Sequence, residues 1–422
     1  MRQLPGHALA ALRAAALLAY SHSLMLDARR ISVVRALAWT AVAIAILAVT
    51  GWTNGRRPAP SASVTLMRVP VGGLQPQVAV DRSGAVHLIY FTGEPAHGDI
   101  FYARGDGGPG FSAPVRVNTH SGSAIAVGNV RGAQLAVGRN GRVHVAWLGS
   151  DRAEPRATGG ATPMLYARSN PGDGTFQPER NLIQFATGLD GGGSLAADGA
   201  GNVYVAWHAG GPNAKGEADR RVWVARSTDD GQTFPAETPA FDPGTGACGC
   251  CGMRAFADRR GGIYMLYRSA TEMVHRDTYL LASEDHGATF AGTKLQEWNI
   301  GACPMSTFAM AEGPGSVLAA WETAGRVYWS RIERGSARIT TPIAAPGAET
   351  NQKHPAIAGN DRGQTILVWT EGMAWSRGGS VVWQVYDEDG TPMADRGRSD
   401  GVPAWSLVAA YVRRDGGFII LY

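Results

Sequence analysis

Two stretches decide the fold: GSLAADGAGNVYVAW, Gly193 to Trp207, and STDDGQTF, Ser227 to Phe234. In the first, apolar residues alternate on either side of Asp198-Gly199-Ala200-Gly201, a period of two interrupted by turn residues. That pattern reads as two short strands joined by a tight turn. It recurs along the chain as PQVAVDRSGAVHLIY at Pro76, AQLAVGRNGRVHVAW at Ala133 and RAFADRRGGIYMLY at Arg254. Later copies are FAMAEGPGSVLAAW at Phe308, PAIAGNDRGQTILVW at Pro355 and WSLVAAYVRRDGGFIILY at Trp405. Gly or Asp breaks each copy before a helix could propagate. A repeat of about 50 residues with about four strands is a propeller blade, too small to bury its own faces and obliged to pack on its neighbours.

Each of the first four copies continues into a third strand, at Ile100-Phe101-Tyr102, Leu165-Tyr166, Val222-Trp223-Val224 and Tyr279-Leu280-Leu281. Two of these run into complete S-x-D-x-G-x-T-F turns, with Ser227, Asp229, Gly231, Thr233 and Phe234 in one and Ser283, Asp285, Gly287, Thr289 and Phe290 in the other. The Asp is placed to accept backbone N–H groups, the Gly to take a positive φ, and the aromatic ring to pack between strands. Ser169 to Phe176 and Arg104 to Phe111 are degenerate copies. These segments resemble the Asp-boxes, or BNR repeats, of the sialidase (neuraminidase) superfamily over nearly the whole stretch from Val64 to Tyr422. The resemblance implies an all-β propeller. The last repeat supplies only an inner pair of strands, and Ser63 to Val71 resembles the fourth strands of other repeats. It is expected to close the ring, giving seven blades; six with an extra hairpin is the alternative.

With 422 residues, 45% hydrophobic and 18% charged, the chain can build a large core, and its 56 glycines suit many turns. A formal charge of +4 without a run of basic and aromatic residues excludes nucleic acid as an expected partner. Ala36 to Trp52 is apolar throughout and follows Arg29, Arg30 and Arg35, so residues 1–62 read as an export signal or membrane-anchoring helix and a Pro/Ser linker. The domain proper is 63–422. Expected localisation is outside the cytoplasm, anchored to the cell membrane or released after cleavage.

Alternating strand direction puts the entry to each first strand and the exit of each second strand on one face, opposite the Asp-box turns. On that entry face lie Gln75, His97, His208, His275, Asp277 and His354, a set suited to binding a glycan or an extracytoplasmic protein. The sialidase resemblance implies arginines gripping a sugar carboxylate, a Tyr nucleophile with a Glu, and an Asp acid/base. By position Asp99 answers to the acid and Arg268 or Arg276 to the arginines. The family's Arg-Ile-Pro motif is missing, since Leu74-Gln75-Pro76 stands in its place.

Most specific are the cysteines: Cys248, Cys250 and Cys251 in GACGCCGM, and Cys303 in GACPM, each before the first strand of successive repeats. Equivalent positions in adjacent blades converge toward the axis, so the two segments should meet, with Cys303 bridged to Cys250 or Cys251. Two disulfides, a soft-metal site for copper or zinc helped by Met253, Met305 and His354, or a reactive thiol all fit the residues. Three functions follow: a hydrolase for sialic acid or a related acidic sugar, a binding propeller, or an envelope metal or redox protein.

Overall fold

A computed structural model describes residues 62–422, apart from 109, 173, 242, 273 and 348–350. The N-terminal segment read as signal or anchor lies outside the described residues, and among those described no helix is long and apolar enough to cross a membrane. The chain forms seven sheets arranged as the blades of a propeller, six of them four-stranded in simple sequence order. Blade 1 is built from Leu74–Val80, Val86–Glu94, His97–Gly105 and Val115–Arg116; blade 4 from Arg254–Ala257, Ile263–Arg268, Thr278–Ser283 and Ala291–Gln296. The other four-stranded blades follow the same meander, and in blades 1, 2, 3 and 5 the outer strand is only two residues long. Short outer strands leave little open edge for unwanted pairing.

Blade 7 has three strands, and the segment expected to close the ring does so against the last repeat. Val64–Met67 does not take the fourth position; it lies directly against Phe418–Leu421, parallel to it, with Val64 opposite Phe418 and Met67 opposite Leu421. The edge of the last repeat's second strand is filled by this strand from the N-terminal part of the described residues. Backbone hydrogen bonds from Phe418 to Ser63, Tyr422 to Met67 and Val69 to Tyr422 extend the seam.

The aromatic residues that end the first six repeats are buried in the core. Tyr90, Trp147, Trp207, Tyr267, Trp321 and Trp369 are all fully buried. They pack between blades rather than within them: Trp207 of blade 3 shares a cluster with Leu148, Met164 and Leu182 of blade 2. The two S-x-D-x-G-x-T-F turns join third to fourth strands and are built alike. Asp229 accepts from Ser227 Oγ at 2.7 Å, Thr233 N at 2.9 Å and Thr233 Oγ1 at 2.6 Å, and Asp285 repeats this with Ser283 and Thr289. These bonds hold the Asp229 carboxyl down at about 2 although burial opposes them. Gly231, at φ 74°, lies against the Tyr166 hydroxyl of blade 2, so a side chain there would meet both backbone strain and a clash.

Candidate functional site

The cysteine segments meet on the entry face, between blades 4 and 5. Cys248 N donates to the carbonyl of Arg268, the last residue of blade 4's second strand, and Gly252 N donates to Ser306 O in the loop entering blade 5. Cys250 and Cys303 form a disulfide with Cα atoms 6.4 Å apart, as the register of equivalent positions required. Cys248 and Cys251 are free and buried, with Sγ atoms 2.9 Å apart; Cys248 Sγ also stands 3.4 Å from Cys250 Sγ. The four sulfurs form a chain, Cys251, Cys248, Cys250, Cys303, running from a fully buried residue to an exposed one.

Charged and polar groups enclose this chain. Glu217, from the long loop of blade 3, accepts from Gly249 N at 2.7 Å with one oxygen and from Arg276 Nη2 at 2.7 Å with the other. His208 Nε2 donates to Cys251 O at 2.7 Å, and Ser306 Oγ lies 3.7 Å from Cys251 Sγ. For Cys251, burial resists ionisation, but the hydrogen bond from Cys248, the charge of Arg268 and bonds from Ser306 outweigh it and pull its pKa down. Cys248, donating that bond and buried, is pushed up. One sulfur therefore tends to thiolate while its neighbour holds the proton.

The other expected ligands lie elsewhere. Met253 is in the hydrophobic cluster between blades 3 and 4 with Tyr204 and Tyr267. Met305 reaches toward Gly128 and Trp375 in the loops of blades 2 and 6. His354 Nδ1 lies 3.3 Å from Thr307 Oγ1, and burial pushes its pKa down to about 3. Three sulfurs, of Cys248, Cys250 and Cys251, lie within 4.8 Å of one another, but Cys250 is already bridged. Two thiolates on one tetrahedral zinc, at about 2.3 Å each, stand about 3.8 Å apart. The 2.9 Å between Cys248 and Cys251 is shorter than that.

Residues assigned by position to sialidase chemistry are occupied by the protein itself. Arg268 is 1% exposed; its Nε donates to Ser306 Oγ at 2.8 Å and its two Nη atoms to the carbonyls of Arg276 and Glu322. Arg276 is buried and paired with Glu217. Asp99 Oδ1 accepts from Asn118 Nδ2 at 2.7 Å and Gly122 N at 2.8 Å, which shapes the loop between blades 1 and 2. Near the axis, Arg254 Nη1 bonds the side chains of Gln77 and Gln134 from blades 1 and 2, tying three first strands together. Gln75 is likewise a tie: its side chain donates to the carbonyls of Ala126 and Trp405. Gln75 and His354 each precede a proline at a bulged first-strand entry and share a left-handed φ, 52° and 50°. Both side chains reach a neighbouring segment, Gln75 to Ala126 and Trp405 and His354 to Thr307. His97, half-buried, faces Asp151 at 3.7 Å.

A second feature of the entry face is a hollow of about 350 Å³ over the outer part of blade 4. Thr245, Ser269, His275, Asp277, Tyr279, Lys294, Glu297 and Asn299 line it. Asp277 Oδ1 accepts from Trp298 N at 2.9 Å, and Lys294 Nζ lies 3.6 Å from Asp277 and 2.6 Å from Glu297. His275 Nδ1 bonds Asn299 Oδ1 at 2.6 Å, and its Nε2 lies 3.3 Å from Glu272. Of the residues expected on a binding face, His275 and Asp277 come together here; Lys294, in blade 4's fourth strand, and Glu297 and Asn299, just after it, were missed because they lie outside the repeat positions used to sort the face.

Neither a protein-family model nor a curated protein matches the sequence. Solved structures similar to it include an α-L-arabinanase from Penicillium chrysogenum, with TM-score 0.49 and 14% identity over 79% of this chain and 100% of that one. The Hadza microbial sialidase Hz136 gives 0.47 and 14% over 79% and 69%. A leech intramolecular trans-sialidase gives 0.46 and 9% over 83% and 86%. No residue role is carried over from them.

Proposed function

We propose that this chain is a glycan-binding propeller held outside the cytoplasm, with its ligand seat in the hollow of blade 4. The lining carries the reading. Carboxylates, an amide, hydroxyls, an imidazole and an ammonium offer donors and acceptors in both senses beside the ring of Tyr279, which matches the alternating hydroxyls and apolar C–H face of a sugar. The volume of about 350 Å³ suits one or two sugar rings. Asp277 and Glu297 against the single Lys294 leave the lining net negative, which favours a neutral glycan over a sialic acid. Lys294 holds the Glu297 carboxyl low, so Glu297 is suited to accepting hydrogen bonds from sugar hydroxyls rather than to donating a proton. Export is supported by the Cys250–Cys303 bridge, which belongs in an oxidising compartment.

The test is a glycan array probed with the full chain, followed by calorimetric titration of each hit. Neutral oligosaccharides should bind, and Glu297→Gln with Asn299→Ala should weaken them by about tenfold or more. Failure of every glycan to bind removes the proposal; turnover of a fluorogenic sialoside replaces it with the hydrolase reading. A fusion of residues 25–60 to a reporter active only outside the cytoplasm checks export, and a silent reporter contradicts it.

A further inference from the structure

We propose that the four cysteines form a disulfide relay, in which Cys248 passes a bridge between the outer Cys250–Cys303 pair and the buried Cys248–Cys251 pair. This site is separate from the glycan seat and does not depend on it. The sulfur chain carries the argument. Cys248 Sγ lies 2.9 Å from Cys251 Sγ and 3.4 Å from Cys250 Sγ, so one sulfur is in reach of both a resting thiol and a disulfide. Cys248-Gly249-Cys250-Cys251 gives the outer two of that segment the C-x-x-C spacing of exchanging dithiols. Cys303 alone of the four is exposed, which makes it the port to an external thiol or disulfide. Glu217 fixes the loop by its bond to Gly249 N, and Arg268 and Ser306 favour negative charge on Cys251.

The exchange balances without an outside oxidant. Cys248 gives its proton to the Cys251 thiolate and attacks Cys250 Sγ; the Cys248–Cys250 bond forms and Cys303 leaves as a thiolate at the surface. Cys251 then attacks Cys248 Sγ, and Cys250 leaves with the proton that Cys251 gives up. One disulfide and two thiols stand on each side. If an external disulfide then oxidises Cys250 and Cys303, it is reduced to two thiols, and the net result is transfer of two electrons from Cys248 and Cys251 to that partner. The partner class is therefore a small-molecule or protein disulfide.

The measurement is labelling of the full chain, in its one-bridge state and with no reductant, by a charged maleimide too polar to enter the core. Exchange should expose Cys303 as a thiol and label it over time. Cys248→Ser keeps the bridge but removes the attacking sulfur, and should lower Cys303 labelling by about tenfold or more. A thermal melt and circular dichroism spectrum of Cys248→Ser matching the wild type show that the variant is folded, so that lower Cys303 labelling reads the missing sulfur. In the wild type, adding oxidised glutathione should close the Cys248–Cys251 pair, as shown by peptide masses. The proposal is overturned if Cys303 stays unlabelled in the wild type or labels equally in Cys248→Ser. It is also overturned if the cysteines stand as two bridges that glutathione does not open.

Discussion

Burial of single titratable residues gives this protein a pH signature. His208 is held down to about 4 and His354 to about 3, mainly by burial, so both are neutral in the folded state near pH 6. Unfolded, they take protons near pH 6.5, so the unfolded chain binds more protons below that value and stability is lost as pH falls from about 6.5 toward 4. Glu322 works the other way. Burial raises it to about 7 against the pull of Lys353 and Arg268, so its contribution declines as pH rises from the ordinary carboxylate range to about 7. Two histidines outweigh one carboxyl at about 1.4 kcal/mol for each pKa unit, so the midpoint of thermal unfolding should fall by an amount equal to a few kcal/mol between pH 6.5 and pH 4. His354→Gln should shrink that fall, and an unchanged slope would show that another group governs it. The bridge is the second residue-scale device: Cys303→Ser, opening a link across 53 positions, should cost about 2–5 kcal/mol in urea unfolding. Sequence reasoning narrowed this bridge to Cys303 with Cys250 or Cys251, because the two cysteine segments occupy one repeat position in adjacent blades. Position on a face did not reveal that three backbone and hydroxyl oxygens surround the Arg268 guanidinium.

Among the elements, the joints between blades carry features that no motif announced. Glu237, just before the outer strand of blade 3, accepts backbone N–H bonds from Gln184, Phe185 and Ala186 in the segment leaving blade 2. Glu179 does the same one blade earlier, taking Thr119 N at 2.8 Å and His120 N at 2.9 Å. Each carboxylate is a staple from one blade's last strand to the preceding blade's exit, and both are buried. Glu237→Ala would leave those N–H groups without their acceptor and should destabilise by about 2–3 kcal/mol, more than Glu237→Gln. Equal effects would mean that the amide replaces the charge fully. The repeat pattern was legible because strands alternate with a period of two and end in an aromatic residue. The staples were not, because a glutamate before a two-residue strand has no spacing that distinguishes it from a solvated one. In the turns, Gly231→Ala should cost about 1–3 kcal/mol through its φ of 74° and the Tyr166 hydroxyl; a neutral result in thermal melting would show the turn can re-form.

For the whole molecule, the ring is the unit of stability, since the clusters that bury the repeat aromatics draw residues from two adjacent blades. Urea unfolding of the full chain should show one transition, and limited proteolysis one core. Deleting residues 62–67 should open the ring and split or broaden that transition; an unchanged sharp transition would show that blade 7 holds without its third strand. Seven blades could be counted from the repeats, yet the direction of the closing strand could not, because a short apolar segment reads the same whichever way its neighbour runs. That direction has a mechanical consequence. Val64–Met67 and Phe418–Leu421 run the same way, so a force that draws the two chain ends apart slides one strand along the other and loads all the hydrogen bonds of the seam together. An antiparallel closure would instead be peeled bond by bond from one end. The last blade is thus a shear clasp, and pulled from its two ends in a single-molecule trap the ring should resist until the clasp fails in one abrupt step.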